Sequence, residues 1–119
     1  MLERKHVRWD SVKLRNSTRK FLTQLAEGKH DPRIRYIVLF GSEARGEARL
    51  TSDVDIAVIS DEPLTTKEKL SIIDSVDEEL EVMVDYRLVA VTTPNLGCEN
   101  PMRVNYHIQR EGLVIYENA

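Results

Sequence analysis

Apolar residues fall into two rhythms along the chain. Ile34–Phe40 (IRYIVLF) and Asp53–Ile59 (DVDIAVI) are short runs rich in β-branched and aliphatic residues, and they read as buried strands. Val82–Val91 (VMVDYRLVAV) reads as a third. Elsewhere the apolar spacing widens to three or four residues. Leu14, Phe21, Leu22 and Leu25 form one stripe of a helix that Asp10 or Ser11 can cap and that runs to about Glu27, where Gly28 and Pro32 end it. A short helical stretch, Ser42 to Gly46, follows the first strand directly. Thr65 and Thr66 precede a helix carrying Leu70, Ile73, Val76 and Leu80. After a loop over Thr92–Asn100, Pro101 opens a last helix that stops at Gly112, and Leu113–Tyr116 adds an edge strand. This order predicts an α/β (α+β) domain, a mixed sheet of three to four strands with helices mostly on one face.

Composition narrows the class. With 119 residues there is room for one core, so the chain reads as a single domain: an N-terminal helix over 10–27, a core over 34–90, and a C-terminal helix and edge strand over 101–117. Hydrophobic residues make up 41% and charged residues 31%, which excludes a disordered or fibrous chain. No apolar run approaches the ~20 residues that span a bilayer, and the first ten residues lack the apolar centre of a secretory signal. The single cysteine, Cys98, excludes an internal disulfide framework. The expectation is a cytoplasmic protein with no membrane part. Seven basic residues (Arg4, Lys5, Arg8, Lys13, Arg15, Arg19, Lys20) but only Glu3 and Asp10 as acids lie in the first twenty positions, on a chain of net charge −3. A domain that is acidic overall is not expected to take nucleic acid as its direct substrate.

Strand alternation brings out the chemistry. In DVDIAVI, Asp53, Asp55 and Ala57 share one face, while Val54, Ile56 and Val58 share the other, expected to be the buried one. Carboxylates at alternate positions sit roughly 7 Å apart at the backbone, near enough to converge on one point or bracket two. The third strand repeats the pattern, with Met83, Asp85 and Arg87 opposite Val84, Tyr86 and Leu88. If the two strands are neighbours, Asp85 joins Asp53 and Asp55. Three carboxylates in one place repel unless a cation compensates, and oxygen-only ligands suit magnesium. Gly41 and Ser42 follow the first strand without a break. Glycine lets backbone approach closely, and a serine hydroxyl with turn N–H groups can cradle a phosphate.

Gly41-Ser42, ten residues, then Asp53-Val54-Asp55 resembles the G-S-x10-D-x-D signature of the DNA polymerase beta-like nucleotidyltransferase superfamily, and the surrounding LFGSEARGEARLTSDVDIAVI is most similar to its minimal nucleotidyltransferase branch. Asp85 falls where that family places a third carboxylate. Glu43 departs from the family pattern, which favours a basic or aromatic residue there. The resemblance implies a nucleotidyltransferase fold and transfer of a nucleoside monophosphate from a nucleoside triphosphate to a hydroxyl. Asp53, Asp55 and Asp85 would hold two Mg²⁺ ions, Gly41 and Ser42 would seat the phosphates, and Arg45 would contact them. It further implies ATP as donor and a helical HEPN-type toxin as partner, silenced by adenylylation of a tyrosine. A domain this small has little surface left to enclose base and acceptor, so the partner, or else a second copy of the chain, is expected to complete the site, and Lys13, Arg15, Arg19 and Lys20 form a candidate docking face. Two other readings stay open: transfer to a small aminoglycoside-like hydroxyl compound, and a non-catalytic module that neutralises its partner by contact.

Overall fold

The computed structural model of the chain describes residues 14–45, 53–95 and 104–118. Its strands are β1 (Ile34–Phe40), β2 (Val54–Ser60), β3 (Tyr86–Thr92) and β4 (Leu113–Glu117), and its helices are α1 (Asn16–Glu27), α2 (Thr66–Leu70), α3 (Glu78–Met83) and α4 (Val104–Glu111). The strands form one mixed sheet in the order β3-β2-β1-β4. β1 is antiparallel to both neighbours, and β2 and β3 run parallel. A parallel pair needs a crossover, and α2, a 3-10 turn (Ser71–Ser75) and α3 supply it. The mixed α/β sheet and its edge strand β4 are those expected from the sequence.

Both faces of the central strands are buried. Ile37, Leu39, Val54, Ile56 and Val58 pack against Phe21, Leu22 and Leu25 of α1 and against Ile72, Ile73 and Leu80 of the crossover. Val38, Phe40, Ala57 and Ile59 pack on the other side with Val91 and with Ile108 of α4. The expectation of a single buried face on β2 is corrected: Ala57 is fully buried as well, because α4 and its neighbours cover the second face. Asp55 belongs to that second face and stands at its rim.

The helices are shorter than their apolar spacing predicts. α1 begins at Asn16, not near Asp10. Arg15 takes the N-cap position in extended backbone (φ −64°, ψ 149°); its guanidinium, a donor only, cannot cap the free N–H groups and pairs with Glu43. The predicted Asp10 or Ser11 cap lies outside the described residues. Gly28 closes α1 with an ordinary φ of −71°, and space is what demands glycine there: a Cβ would stand 2.5 Å from the Ser75 Cβ.

Thr65 starts α2 with a reciprocal cap. Its hydroxyl accepts from the Glu68 N–H at 3.1 Å, and the Glu68 carboxylate accepts from the Thr65 N–H at 3.0 Å. The helix does not continue to Leu80. Gln24 of α1 holds Asp77 at both ends, accepting from its N–H at 2.8 Å and donating to its carboxylate at 3.0 Å, and the chain bends between α2 and α3 to meet it. The bend leaves Leu70 exposed and turns Ile72, Ile73, Val76 and Leu80 inward.

The predicted strand over Val82–Val91 divides in the same way. Val82 and Met83 finish α3, 84% and 68% exposed, and β3 starts at Tyr86, where pairing with Val54 begins. Acidic residues in the first turn of α3 (Glu78, Glu79, Glu81) favour helix there. Ser42 to Arg45 form a turn, not a helix, closed by the Arg45 N–H on the Gly41 carbonyl at 3.2 Å; Gly46 lies outside the described residues. The expected loop begins with a 3-10 turn, Thr93–Asn95, while Cys98 and Pro101 are outside the described residues. Among the described residues no helix is long and apolar enough to cross a membrane.

This placement separates two apolar residues that look alike in the sequence. Ile56→Ala should cost about 2–5 kcal/mol in urea denaturation, because it opens a cavity in the centre of the sheet. Val82→Ser should stay within about 0.5 kcal/mol of the parent, as expected for an exposed helix end.

Candidate active site

The site is built where β1 ends and β2 and β3 begin. After Phe40 the chain turns at Gly41, whose φ of +77° lies in the left-handed region that side chains disfavour. The antiparallel register sets Phe40 opposite Asp55, and this lowers the Asp55 carboxylate onto the turn. A Cβ on residue 41 would stand 2.4 Å from Asp55 Oδ2, so glycine is required by conformation and by space together. Ser42 sits half-buried beside it.

The parallel register of β2 on β3 pairs Asp55 with Arg87. Arg87 donates to Asp55 Oδ1 from Nε at 3.0 Å, and its Nη2 lies 2.9 Å from the same oxygen. The carboxylate is 16% exposed and the guanidinium 61%, so the arginine closes over the acid from the solvent side. The Val54 N–H donates to the Asp85 carbonyl at 2.8 Å, laying the start of β2 alongside Asp85. Asp85 lies two residues before Arg87 and thus on the same face as Asp55. Asp53 and Asp85 are both exposed, each just ahead of its strand.

The three carboxylates predicted from the sequence therefore stand at one end of the sheet. In this arrangement, among the described residues, no three acidic, histidine or cysteine side chains are close enough together to hold a metal ion. What lies against Asp55 is a cation supplied by the chain itself. The residues suit a hard divalent cation in two respects: carboxylate oxygens are its preferred ligands, and Asp55 Oδ1 already faces a positive charge while Oδ2 lies over Gly41.

Two further ion pairs fix the turn. Glu43 is 1% exposed and pairs with Arg15. A charge buried to that degree is tolerated only with a partner. The residue that departs from the family pattern thus fastens the turn to the start of α1. Arg45 donates to Glu111 at the end of α4 at 2.9 Å, and Glu111 also faces His107, 3.7 Å away. Arg15, one of the four basic residues proposed as a docking face, is committed to the turn; Lys20 lines a groove between α1 and α3 together with Asp77 and Glu79. Tyr86 stacks on Phe21 with ring centres 5.2 Å apart and donates to Glu81 at 3.2 Å; burial, then the Glu81 contact, raises its pKa above the usual 10.

Arg87, Glu43 and Glu111 are the residues that sequence reasoning does not assign. Only Arg87 carries a signal, through its alternation with Asp85; the other two depend on contacts between distant segments.

A model of the family described as polymerase beta, nucleotidyltransferase matches residues 22–119. Among solved structures, the chain is similar to one described as a toxin-antitoxin with AMP-PNP, with TM-score 0.55 and 21% identity over 87% of this chain and 75% of that one. It is also similar, with TM-score 0.49 and 13% identity over 89% of this chain and 91% of the other, to a Sulfolobus solfataricus protein assigned provisionally as a nucleotidyltransferase. At 21% identity the likeness to the first is one of fold. No curated protein matches the chain.

Gly41→Ala should destabilise the protein by roughly 1–3 kcal/mol through backbone strain alone, with the Asp55 side chain displaced in a crystal structure of the variant. The Arg15–Glu43 pair should respond unequally in urea denaturation. Arg15→Met strands a buried carboxylate and should cost about 3 kcal/mol, whereas Glu43→Met leaves an arginine that can reach water and should cost less.

Proposed function

The chain belongs to the polymerase beta nucleotidyltransferase family, and from that premise we propose that it transfers AMP from ATP to a tyrosine hydroxyl of a helical HEPN-type toxin, acting as its antitoxin. The observation that carries this reading is the seating of Asp55 on the Gly41-Ser42 turn, with Asp53 and Asp85 at the same end of the sheet. The fold shared with a toxin-antitoxin assembly crystallised with AMP-PNP supports both the adenine nucleotide and the protein partner.

Each residue has a task that its position suits. Gly41 and Ser42 would receive the phosphates, since backbone N–H groups of a turn and a serine hydroxyl are donors of the kind that cradle an anion. Asp53 and Asp55 would hold one Mg²⁺ with their oxygens, and Asp85 would hold a second while orienting the incoming hydroxyl and taking its proton. Mg²⁺, when bound, supplies positive charge against the triphosphate and the departing pyrophosphate. Arg45 reaches the phosphates from the rim of the turn, where Glu111 steadies it. Positioning and charge carry the rate, and no covalent protein intermediate is needed.

Asp53→Asn and Asp55→Asn keep side-chain size while removing charge. Incubated with a co-purified helical partner, ATP and Mg²⁺, the parent chain should raise the partner's mass by one adenylyl unit. Each variant should lower the rate by at least about a hundredfold while its melting temperature stays within a few degrees. An unmodified partner in the parent reaction, or full activity in either variant, would contradict the assignment. A partner that is neutralised but never modified would point to inhibition by contact.

A further inference from the structure

Among the described residues three large apolar side chains stand exposed: Leu70, Val82 and Met83. The last two are neighbours at the end of α3, 84% and 68% exposed, and neither belongs to the core. Adjacent exposed apolar side chains rimmed by polar ones mark surfaces that meet a partner. Around this pair the charge has one sign. The segment from Asp77 to Met83 holds Asp77, Glu78, Glu79 and Glu81 and no basic residue. Gln24 holds Asp77 and Tyr86 donates to Glu81, which leaves Glu78 and Glu79 as the outward charges. These two acids and the apolar pair line a shallow hollow of about 480 Å³. Met83 also borders the groove against α1, whose lining includes Lys20 beside Asp77 and Glu79.

The patch adjoins the site. The Val84 N–H donates to the Leu80 carbonyl at 3.0 Å and closes α3; the next residue is Asp85, whose carbonyl accepts from the Val54 N–H at 2.8 Å. A single buried residue, Val84, thus joins α3 to the end of the sheet that carries the three carboxylates. Two residues of chain span at most roughly 7 Å, so Met83 stands within that distance of Asp85 along the backbone.

We propose that the end of α3 is the docking surface for the acceptor protein, and that this protein presents apolar side chains flanked by lysine or arginine. The proposal rests on the nucleotidyl-transfer reading of the site and names the partner chemistry that the patch requires. Val82 and Met83 supply the area removed from water, and methionine adapts to an irregular surface. Glu78 and Glu79 select the sign of the flanking charge and disfavour an acidic partner. A protein seated there stands beside Asp85, at the unpaired border of β3.

Two fluorescein-labelled helical peptides serve as probes, each with one leucine stripe, flanked in one by lysine and in the other by glutamate. In anisotropy titrations the parent chain should bind the lysine peptide at least about tenfold more tightly, a preference that falls as salt rises. Val82→Ser/Met83→Ser should weaken that binding about tenfold, and Glu78→Gln/Glu79→Gln about three- to tenfold. Leu70→Ser on α2 should leave it unchanged. All these positions are too exposed for the substitutions to unfold the chain. With the co-purified helical partner, ATP and Mg²⁺, Val82→Ser/Met83→Ser should raise KM for the partner about tenfold and keep kcat within about twofold. Its binding of Mn²⁺ with methylanthraniloyl-ATP should match the parent's. If the two peptides bind alike, or the double variants keep the parent's peptide affinity and KM, the docking surface is overturned, and a modified partner shows that the transfer reading is not what failed. A chain that sediments as a dimer, and as a monomer after Val82→Ser/Met83→Ser, would place a second copy on the patch and also overturn the proposal. A parent chain that neither binds the nucleotide probe nor modifies its partner removes the transfer reading; lysine-peptide binding lost in both double variants would still support the surface.

Discussion

The antiparallel register of β1 on β2 is the constraint on which the site depends. It sets Phe40 opposite Asp55, and β1 leads without interruption into a glycine held at φ +77°. The carboxylate then comes to rest where a Cβ would otherwise be. Because strand side chains alternate strictly, the register that places Asp55 on Gly41 is the one that sends Val54, Ile56 and Val58 to α1 and Ala57 and Ile59 to α4. A slip by one residue would exchange the two sets. The core and the chemistry are therefore specified by one ladder of hydrogen bonds.

Magnitudes decide which interactions build the site and which refine it. Burying a side chain such as Ile56 contributes about 1.5–3 kcal/mol, and β1 and β2 bury several. The pair of Arg45 with Glu111 is partly open to water, and such pairs contribute at most about 1 kcal/mol. The Arg15–Glu43 pair lies between these cases: its formation adds little once desolvation is counted, but breaking it from the arginine side is costly. Apolar packing sets the position of the strand ends, and the ion pairs hold the turn against them.

Much of this was legible in the sequence, and the remainder was hidden for identifiable reasons. β1 and β4 lie where their apolar runs place them, because each is bounded by glycine or a turn. The D-x-D pair and the glycine-serine turn were legible because alternation and backbone freedom are local properties. The break between α2 and α3 was not, since Leu70 sits in perfect helical spacing and only the Gln24–Asp77 tie shows why the chain bends away. Val82 and Met83 look like strand residues, but their fate is decided by where β2 offers a partner. Glu43 reads in the sequence only as a departure from the family pattern within a short helical stretch; its burial depends on Arg15, 28 residues earlier. The functions of Asp53, Asp55 and Asp85 are inferred from type and position in both views of the molecule.

The strand order leaves β3 on the margin of the sheet, with Asp85 exposed just before it. Among the described residues, the glycine turn and β1 flank Asp55 on one side, whereas the outer edge of β3 pairs with no further strand. For the proposed transfer, that unpaired border would make the shape of the incoming surface, and not the volume of a closed chamber, the quantity on which a choice of acceptor turns.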